Sequence, residues 1–313
     1  MSLLKVLLVV GLIVGALLTL LGLFAGRRPF LDLANQGRAL VLIGSVVVLG
    51  LALLAGDGWL IAAAILVMIA NVGLFALGLR GQAPRATPGS HRFLRLVTFN
   101  VWKRNPRLED IAAFLAEADA DLVVLQEVTS ERRSRLRDLT KARYPHMLGT
   151  SGLLILAKHK ERASGHIDGA KIDGWARTPL VLWAQFEIGG FAFELAGIHL
   201  AYPFNPLEQT ADTEALIAFV RSRNAPLLVA GDYNLTPWSR KLQRFTRETG
   251  LLRYNTFRPT WPMRRVIPLI PLVAIDNVFS SGEFALQSIT TGPSAGSDHL
   301  PIIADIALAV AED

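Results

Sequence analysis

Residues 227–237 read Leu-Leu-Val-Ala-Gly-Asp-Tyr-Asn-Leu-Thr-Pro. The apolar run Leu227–Ala230 has the texture of a short buried strand, and Asp232 and Asn234 follow it two residues apart. Side chains two apart on extended backbone point to the same face. A carboxylate and an amide would then project together from a strand end, where they can position a water, a metal ion or a phosphate oxygen. The same string also satisfies a turn, because Gly, Asp and Asn are common turn residues. What the rest of the chain places around it decides between the two.

Other apolar runs end the same way. Val97-Thr-Phe-Asn100 closes on an amide, Leu122-Val-Val-Leu-Gln-Glu127 on a carboxylate and Leu195-Ala-Gly-Ile-His199 on an imidazole. Asp276 sits inside an apolar run, and Gly296-Ser-Asp-His299 precedes the last one. One such residue is an ordinary cap; six can converge on one edge of a sandwich. The periodicity predicts strands over 94–100, 121–128, 152–157, 180–188, 191–200, 227–230, 274–280 and 302–309, and helices over 108–118, 208–221 and 239–249. Gly189-Gly190 reads as a hairpin turn. A β–α alternation broken by a hairpin argues for a mixed-sheet sandwich with helices outside.

The 313 residues are 51% apolar with a mean hydropathy of +0.38. The excess lies in three runs, about 3–25, 39–55 and 59–79, each near the length needed to cross a hydrocarbon core. A signal peptide would explain only the first, and a buried helical hairpin would not be apolar on every face. Gly11, Gly15, Gly22, Gly44, Gly50 and Gly73 suit close helix packing in lipid, and Asn71 is expected to face a neighbouring helix. These patterns predict a membrane anchor over 1–80, a Gly/Pro-containing linker over 81–90 and a soluble domain over 91–313.

The formal charge of +6 is concentrated in the anchor. Residues 1–90 carry six Lys/Arg and two acids; the remainder carries 26 and 24. A nearly neutral soluble domain lacks the basic footprint of a duplex-binding protein. With no cysteine, disulfides, thiolate zinc sites and a Cys nucleophile are excluded. The basic run Arg132, Arg133, Arg135 and Arg137 reads as a solvated helix face.

In order, the motifs are TFNVW, LVVLQEV, GIHLAYP, GDYNLTPWS, the PTWP–IDNVF segment and GSDHLP, spanning 98 to 301. The set resembles the endonuclease/exonuclease/phosphatase superfamily, which includes deoxyribonuclease I-like nucleases, inositol-phosphate phosphatases and neutral sphingomyelinases. That resemblance implies a four-layered α/β sandwich, divalent-metal catalysis and attack of water on a phosphoester. It assigns Glu127 to the metal, with Asn100 and Asp298 assisting, and Mg²⁺ or Mn²⁺ as the ion suited to hard oxygen donors. His299 and Asp276 would form a base-and-orienter pair. Asp232 and Asn234 would align the water or bind the metal region, and His199 would meet the phosphoryl group or the leaving oxygen. Arg177 and Trp261 are candidates for substrate contact.

An anchored, near-neutral domain points to a phosphoester at the bilayer, a phospholipid or a lipid-linked phosphate, ahead of nucleic acid. A non-catalytic binding module would not retain this set. The layout of three spans before the domain resembles bacterial membrane proteins associated with teicoplanin resistance, implying a multi-pass inner-membrane protein with an extracytoplasmic domain. The positive-inside count opposes that side. Arg27, Arg28 and Arg38 in the first loop, and Arg80, Arg85, Arg92 and Arg95 after the third span, outnumber Lys5 at the other face.

Overall fold

The computed structural model describes residues 2–308 apart from 27, 80–82, 88–91, 150–151, 170–178, 255–256 and 264–272. The chain divides into two compact units, one of Met1–Arg80 with Leu235–Arg244 and one of Gly81–Asn234 with Phe245–Asp313.

The first unit is helical. Helices α1 (Leu3–Leu23), α3 (Arg38–Ala55) and α4 (Gly58–Gly78) are each long and apolar enough to cross a membrane. A short 3-10 turn (Pro29–Asp32) and α2 (Leu33–Gln36) lie between α1 and α3. Ser2 and Asp57 cap α1 and α4 by accepting from the amides of Lys5 and Leu60, which satisfies backbone donors that a helix start leaves open. A Cβ on Gly11 would lie 2.9 Å from Val48, and one on Gly22 would lie 2.4 Å from Asn35. These two glycines mark close packing, and Gly15, 3.4 Å from Val67, makes ordinary contact. Gly44, Gly50 and Gly73 face open space.

The polar residues of this unit form one buried network, as bilayer solvent requires. Asn71 is fully buried, accepts from Thr19 (3.1 Å) and Arg38 (3.2 Å), and donates to Ser45 (3.4 Å). Arg38 is therefore not the loop charge that the sequence suggests. It opens α3, is buried, and also donates to Asn35 at 2.5 Å. Asn35 in turn donates to Asp32 (3.0 Å), which accepts from Ser239 Oγ (2.5 Å) and the amide of Arg240 (2.9 Å). Trp238 completes the unit by donating from Nε1 to the Phe75 carbonyl (2.9 Å) and stacking on its ring at 4.6 Å.

The second unit holds two six-stranded mixed sheets. Its strands are β1 (Leu94–Asn100), β2 (Leu122–Val128), β3 (His146–Gly149), β4 (Gly152–Ala157), β5 (Ala163–Asp168), β6 (Pro179–Ile188), β7 (Phe191–His199), β8 (Leu227–Asp232), β9 (Leu252–Arg253), β10 (Asp276–Ser280), β11 (Phe284–Thr291) and β12 (Ile302–Leu308). One sheet runs β11-β12-β1-β2-β4-β3 and the other β5-β6-β7-β8-β10-β9. Leu94, Leu96, Leu122 and Val124 of the first meet Leu195, Leu228, Ala230 and Val278 of the second in the central core. The alternate residues Val97, Phe99, Val123 and Leu125 face outward and pack on Ile111, Phe114 and Leu115 of α5 (Leu108–Ala118) and Leu136 of α6 (Ser130–Thr140). Helices α7 (Pro206–Arg221) and α8 (Arg240–Thr249) follow β7 and β8. Phe245 of α8 packs on Phe279 at 5.2 Å. The four-layered α/β sandwich expected from the motifs is the observed architecture.

Two details bring the sheets together. Gly197 faces Val124 across the core so closely that a Cβ would lie 2.6 Å from the valine Cγ1. Residues 83–86, read as linker from composition, lie against the second unit's own strands. The amide of Ala86 donates to Leu286 O (3.0 Å), and that of Leu286 to Pro84 O (2.8 Å). At the opposite strand, Arg95 and Asp305 are register partners between β1 and β12 and form a bidentate pair at 2.7 and 3.0 Å. Burial raises the Asp305 carboxyl, but the Arg95 and Ser288 donors outweigh it and hold the group below the usual carboxylate value. Such a group adds stability above its unfolded pKa and loses it as pH falls through the folded one. Asp305→Asn should therefore cost about 1–2 kcal/mol at pH 7 and measurably less at pH 2. Thermal unfolding of both proteins at the two pH values checks this; an equal deficit at both would remove the ionic contribution.

Candidate active site

Strand register builds the site. On the second sheet, His199 of β7 is the Cα partner of Asp232 of β8, and Asp232 is the partner of Asp276 of β10. All three continue the inward-facing alternation, after Leu195, Leu228–Ala230 and Val278 respectively. They therefore form one row at the end of the sandwich. On the first sheet, Asn100 of β1 belongs to the same inward set as Leu94 and Leu96, and it faces the row.

Glu127 reaches the site by breaking its pattern. Simple alternation would send it outward with Val123 and Leu125. The β2–β4 register slips between Gln126 and Val128, and Glu127 adopts φ 62°. A bulge of this kind re-aims a side chain. Of the five non-glycine residues with positive φ among the described residues, Trp102, Glu127, Asn234 and Ala295 lie in or beside the motifs. Backbone held in that region costs about 1–3 kcal/mol per residue, so the strain gathers where the chemistry does.

Asn100 joins the two sheets. Its Nδ2 donates to Glu127 Oε1 (3.1 Å) and to Asp232 Oδ2 (3.0 Å), while its Oδ1 accepts from the amide of Trp102 (3.0 Å). The amide oxygen is thus engaged by backbone, and Asn100 orients two carboxylates. Glu127 also accepts from the amide of Lys103 (3.0 Å) and from the hydroxyl of Tyr202 (3.0 Å). Burial pushes the Glu127 carboxyl up, yet the Lys103 amide, the nearby His199 and the Asn100 and Tyr202 donors bring it below its ordinary value. Asp232 is fully buried and accepts from the Asn234 amide at 2.8 Å. Burial and the neighbouring Asp276 raise its pKa, against the opposing pull of His299, Asn100 and Asn234.

The imidazole of His299 is 5% exposed, and its Nδ1 lies 2.9 Å from Asp276 Oδ2. Burial lowers its pKa, but Asp276 and then Asp232 and Asp298 win and raise it above the ordinary histidine value. Both His299 Nε2 (3.9 Å) and His199 Nε2 (3.7 Å) approach Asp232 Oδ2. Asn234 turns away: its Nδ2 donates to Leu200 O (2.9 Å) and its carbonyl accepts from Gln209 (2.9 Å). It fixes the loop after Asp232, and only its backbone amide touches the carboxylate. Asp298 is partly buried, which raises its pKa; it accepts from Trp261 Nε1 at 3.4 Å. Arg177 lies outside the described residues.

Three supporting residues sit inside the motif strings, where residue type alone gave them no role. Tyr202 donates to Glu127. Thr260 donates to Asp276 Oδ2 at 2.5 Å. Ser297 donates to Asn100 O (2.7 Å) and accepts from the amide of His299 (3.1 Å), tying the end of β1 to the imidazole-bearing loop before β12 of the same sheet. Arg132 does more than solvate a helix face, donating to Trp102 O at 3.3 Å. A cavity of about 310 Å³ opens beside Glu127, lined also by Lys103, Thr129, Gly152, His199 and Tyr202.

Two groupings could hold a cation. Atoms of Asp232, Asp276 and His299 lie within 4.8 Å of one another, but Nδ1 of His299 is committed to Asp276 and its protonated form is favoured. Glu127, held ionised at the mouth of a cavity, is the better first ligand, with Asp232 beside it through Asn100. An all-oxygen set of buried acids suits a hard divalent ion, and a cation would oppose the rise that burial imposes on Asp232.

Residues 97–299 match the Endonuclease/Exonuclease/phosphatase family, and the chain belongs to it. It is thereby a phosphoric ester hydrolase of a divalent-metal-dependent family. It is similar to a putative neutral sphingomyelinase of Drosophila melanogaster, 28% identical over 176 residues, which cover 46% of this chain and 40% of that protein. A UPF0294 protein of Vibrio parahaemolyticus is 25% identical over 228 residues, 69% of this chain and 78% of that one. Among solved structures, beta toxin from Staphylococcus aureus with bound magnesium ions superposes with a TM-score of 0.54 at 16% identity, covering 68% of this chain and 99% of that one.

Glu127→Gln keeps the side chain's size but removes the charge and one of the two acceptor oxygens that Asn100, Tyr202 and Lys103 use. It should weaken Mg²⁺ binding to the purified chain at least about tenfold by calorimetry. Unchanged affinity would move the ion to the Asp232–Asp276–His299 cluster.

Proposed function

We propose that the chain is a membrane-tethered hydrolase that uses Mg²⁺ or Mn²⁺ to cleave a phospholipid or lipid-linked phosphoester. The observation that carries this reading is the convergence of Glu127, Asp232, Asp276 and His299 through Asn100 in a chain with three helices fit to span a bilayer. The similarity to a putative neutral sphingomyelinase supports the lipid substrate, and the magnesium-bound beta toxin supports the ion. The near-neutral charge of residues 91–313 weighs against a nucleic-acid duplex.

Bound beside Glu127, the ion would polarise a phosphoryl oxygen and offset charge that develops there. Asn100 holds Glu127 and Asp232 at fixed spacing. Asp232, buried and near both imidazoles, positions the attacking water and takes up its proton. Asp276 holds Nδ1 of His299 and stabilises its protonated form, so Nε2 presents a proton or positive charge to the phosphoryl group. His199, at the cavity wall, neutralises or protonates the leaving oxygen. Asn234 and Asp298 shape the two loops, and Trp261 is tied to Asp298 through its indole N–H.

Purified full-length protein with Mg²⁺ or Mn²⁺ should hydrolyse one of phosphoinositide, sphingomyelin or polyprenyl pyrophosphate in preference to DNA. His299→Ala and Asp232→Ala should each lower that turnover by about 10²–10⁴-fold while leaving the protein in the membrane fraction. Full activity in both variants would remove the site. Rapid DNA cleavage without lipid hydrolysis would replace the substrate.

We place the protein in a bacterial inner membrane with the catalytic domain outside the cytoplasm. The layout supports this, and burial of Arg38 removes one charge from the count that opposes it. A carboxyl-terminal alkaline phosphatase fusion should be active; a fluorescent cytosolic fusion with an inactive phosphatase fusion would reverse the side.

A further inference from the structure

Among the described residues of the second unit, exposed large apolar side chains are few, and all but Trp261 fall within 202–207. Among the described residues they are Tyr202 (50% exposed), Phe204 (82%), Leu207 (75%) and Trp261 (37%). Every other exposed large apolar residue among those described falls between 3 and 77, in the helical unit. Single exposed apolar residues are normal on a soluble surface. Three within six residues, on the loop that leaves the active-site row at His199 and the first turn of α7, are not a scatter.

The loop has two sides. Tyr202 holds Glu127 through its hydroxyl and lines the cavity, as does Asn205. The Asn205 amide donates to Tyr202 O (3.0 Å), which closes a turn around Pro203 and Phe204. Asn205 Nδ2 donates to Glu208 Oε2 (2.8 Å), anchoring the start of α7. The turn is thus held from within while Phe204 and Leu207 project to solvent. Lys103 shares the cavity wall with Tyr202, and Lys103 and Arg104 are both exposed beside Glu127. Aromatic and leucine side chains next to lysine and arginine are the composition that settles at the boundary between headgroups and acyl chains.

We propose that the Tyr202–Leu207 turn is an interfacial rim. Phe204 and Leu207 enter the headgroup boundary of the bilayer while Lys103 and Arg104 meet lipid phosphates. The substrate's phosphoester then passes from the interface into the cavity without its apolar part crossing water. The bilayer is the occupant because the chain carries its own membrane-spanning helices and because cations flank the apolar turn. The passage of substrate rests on the lipid reading above; the bilayer contact does not.

The chain has no cysteine, so Phe204→Cys creates a single labelling site in the full-length protein. A nitroxide there, in nanodiscs of phosphatidylcholine with phosphatidylglycerol, should be several-fold more accessible to oxygen than to a water-soluble nickel chelate. A label at Glu283→Cys, exposed in the turn beyond the far end of β10 from Asp276, should show the reverse. A label at 204 that reads as fully aqueous overturns the rim. So does a label shielded from both reagents in a particle holding two copies, which would make the partner a second chain. Phe204→Ser with Leu207→Ser should raise KM for vesicle-borne lipid about tenfold and leave kcat for soluble bis(p-nitrophenyl) phosphate unchanged; equal losses on both substrates also overturn it. Lipid contact at 204 without any lipid hydrolysis by the unmutated chain would instead sink the substrate reading and leave the rim standing.

Discussion

One amide holds two carboxylates from different sheets. Asn100 donates to Glu127 across its own sheet and to Asp232 across the core, and the site depends on that bridge. Without it, a buried Asp232 would face Asp276 with one donor fewer, and an unpaired buried carboxylate is expensive. The bridge needs the sheets to approach closely, which Gly197 permits opposite Val124. It also needs Asn100 to stay fixed, which the Trp102 amide on one side and Ser297 on the other provide.

The electrostatics follow from burial. Asp232 and Asp276 are neighbours in one row with almost no exposure. The chain offsets their repulsion with His299, whose charged form they favour, and with the Asn100, Asn234 and Thr260 donors. Glu127 sits apart from this acid pair, with four lowering influences and a cavity in front of it. The arrangement separates a carboxylate kept ionised from one whose ionisation is resisted. That separation of roles by environment is what metal-assisted hydrolysis of a phosphoester uses.

Much of this was legible in sequence because strand ends are legible. The apolar runs before Asn100, His199 and Asp232 set the inward alternation, and register then aligned the residues. The bounds of β1, β4 and α5 are those the periodicity gives. Strands β3, β5, β11 and the two-residue β9 are not visible in the periodicity. His146–Gly149 is short and only half-buried, Ala163–Asp168 alternates small and polar residues, and Phe284–Thr291 is broken by a bulge. Glu127 stands out in sequence as a carboxylate ending an apolar run, but its path to the site runs through a bulge that alternation contradicts. Tyr202, Thr260 and Ser297 have no role legible in the sequence, because a hydroxyl shows its partner only after folding.

Asn234 shows how a motif can be read correctly in place and differently in function. Two-apart spacing predicted that it and Asp232 would project together. Its φ of 49° breaks the extended geometry two residues after the strand ends. The side chain turns to Leu200 O, and the backbone amide turns to Asp232 Oδ1. The initial ambiguity between strand end and turn is resolved as both: Asp232 ends the strand, and Asn234 is the turn residue that holds it. The same loop that Asn234 pins, Leu200 to Asn205, carries Tyr202 to Glu127. The positions of Asp232 and of Glu127 are therefore set through one short segment of backbone.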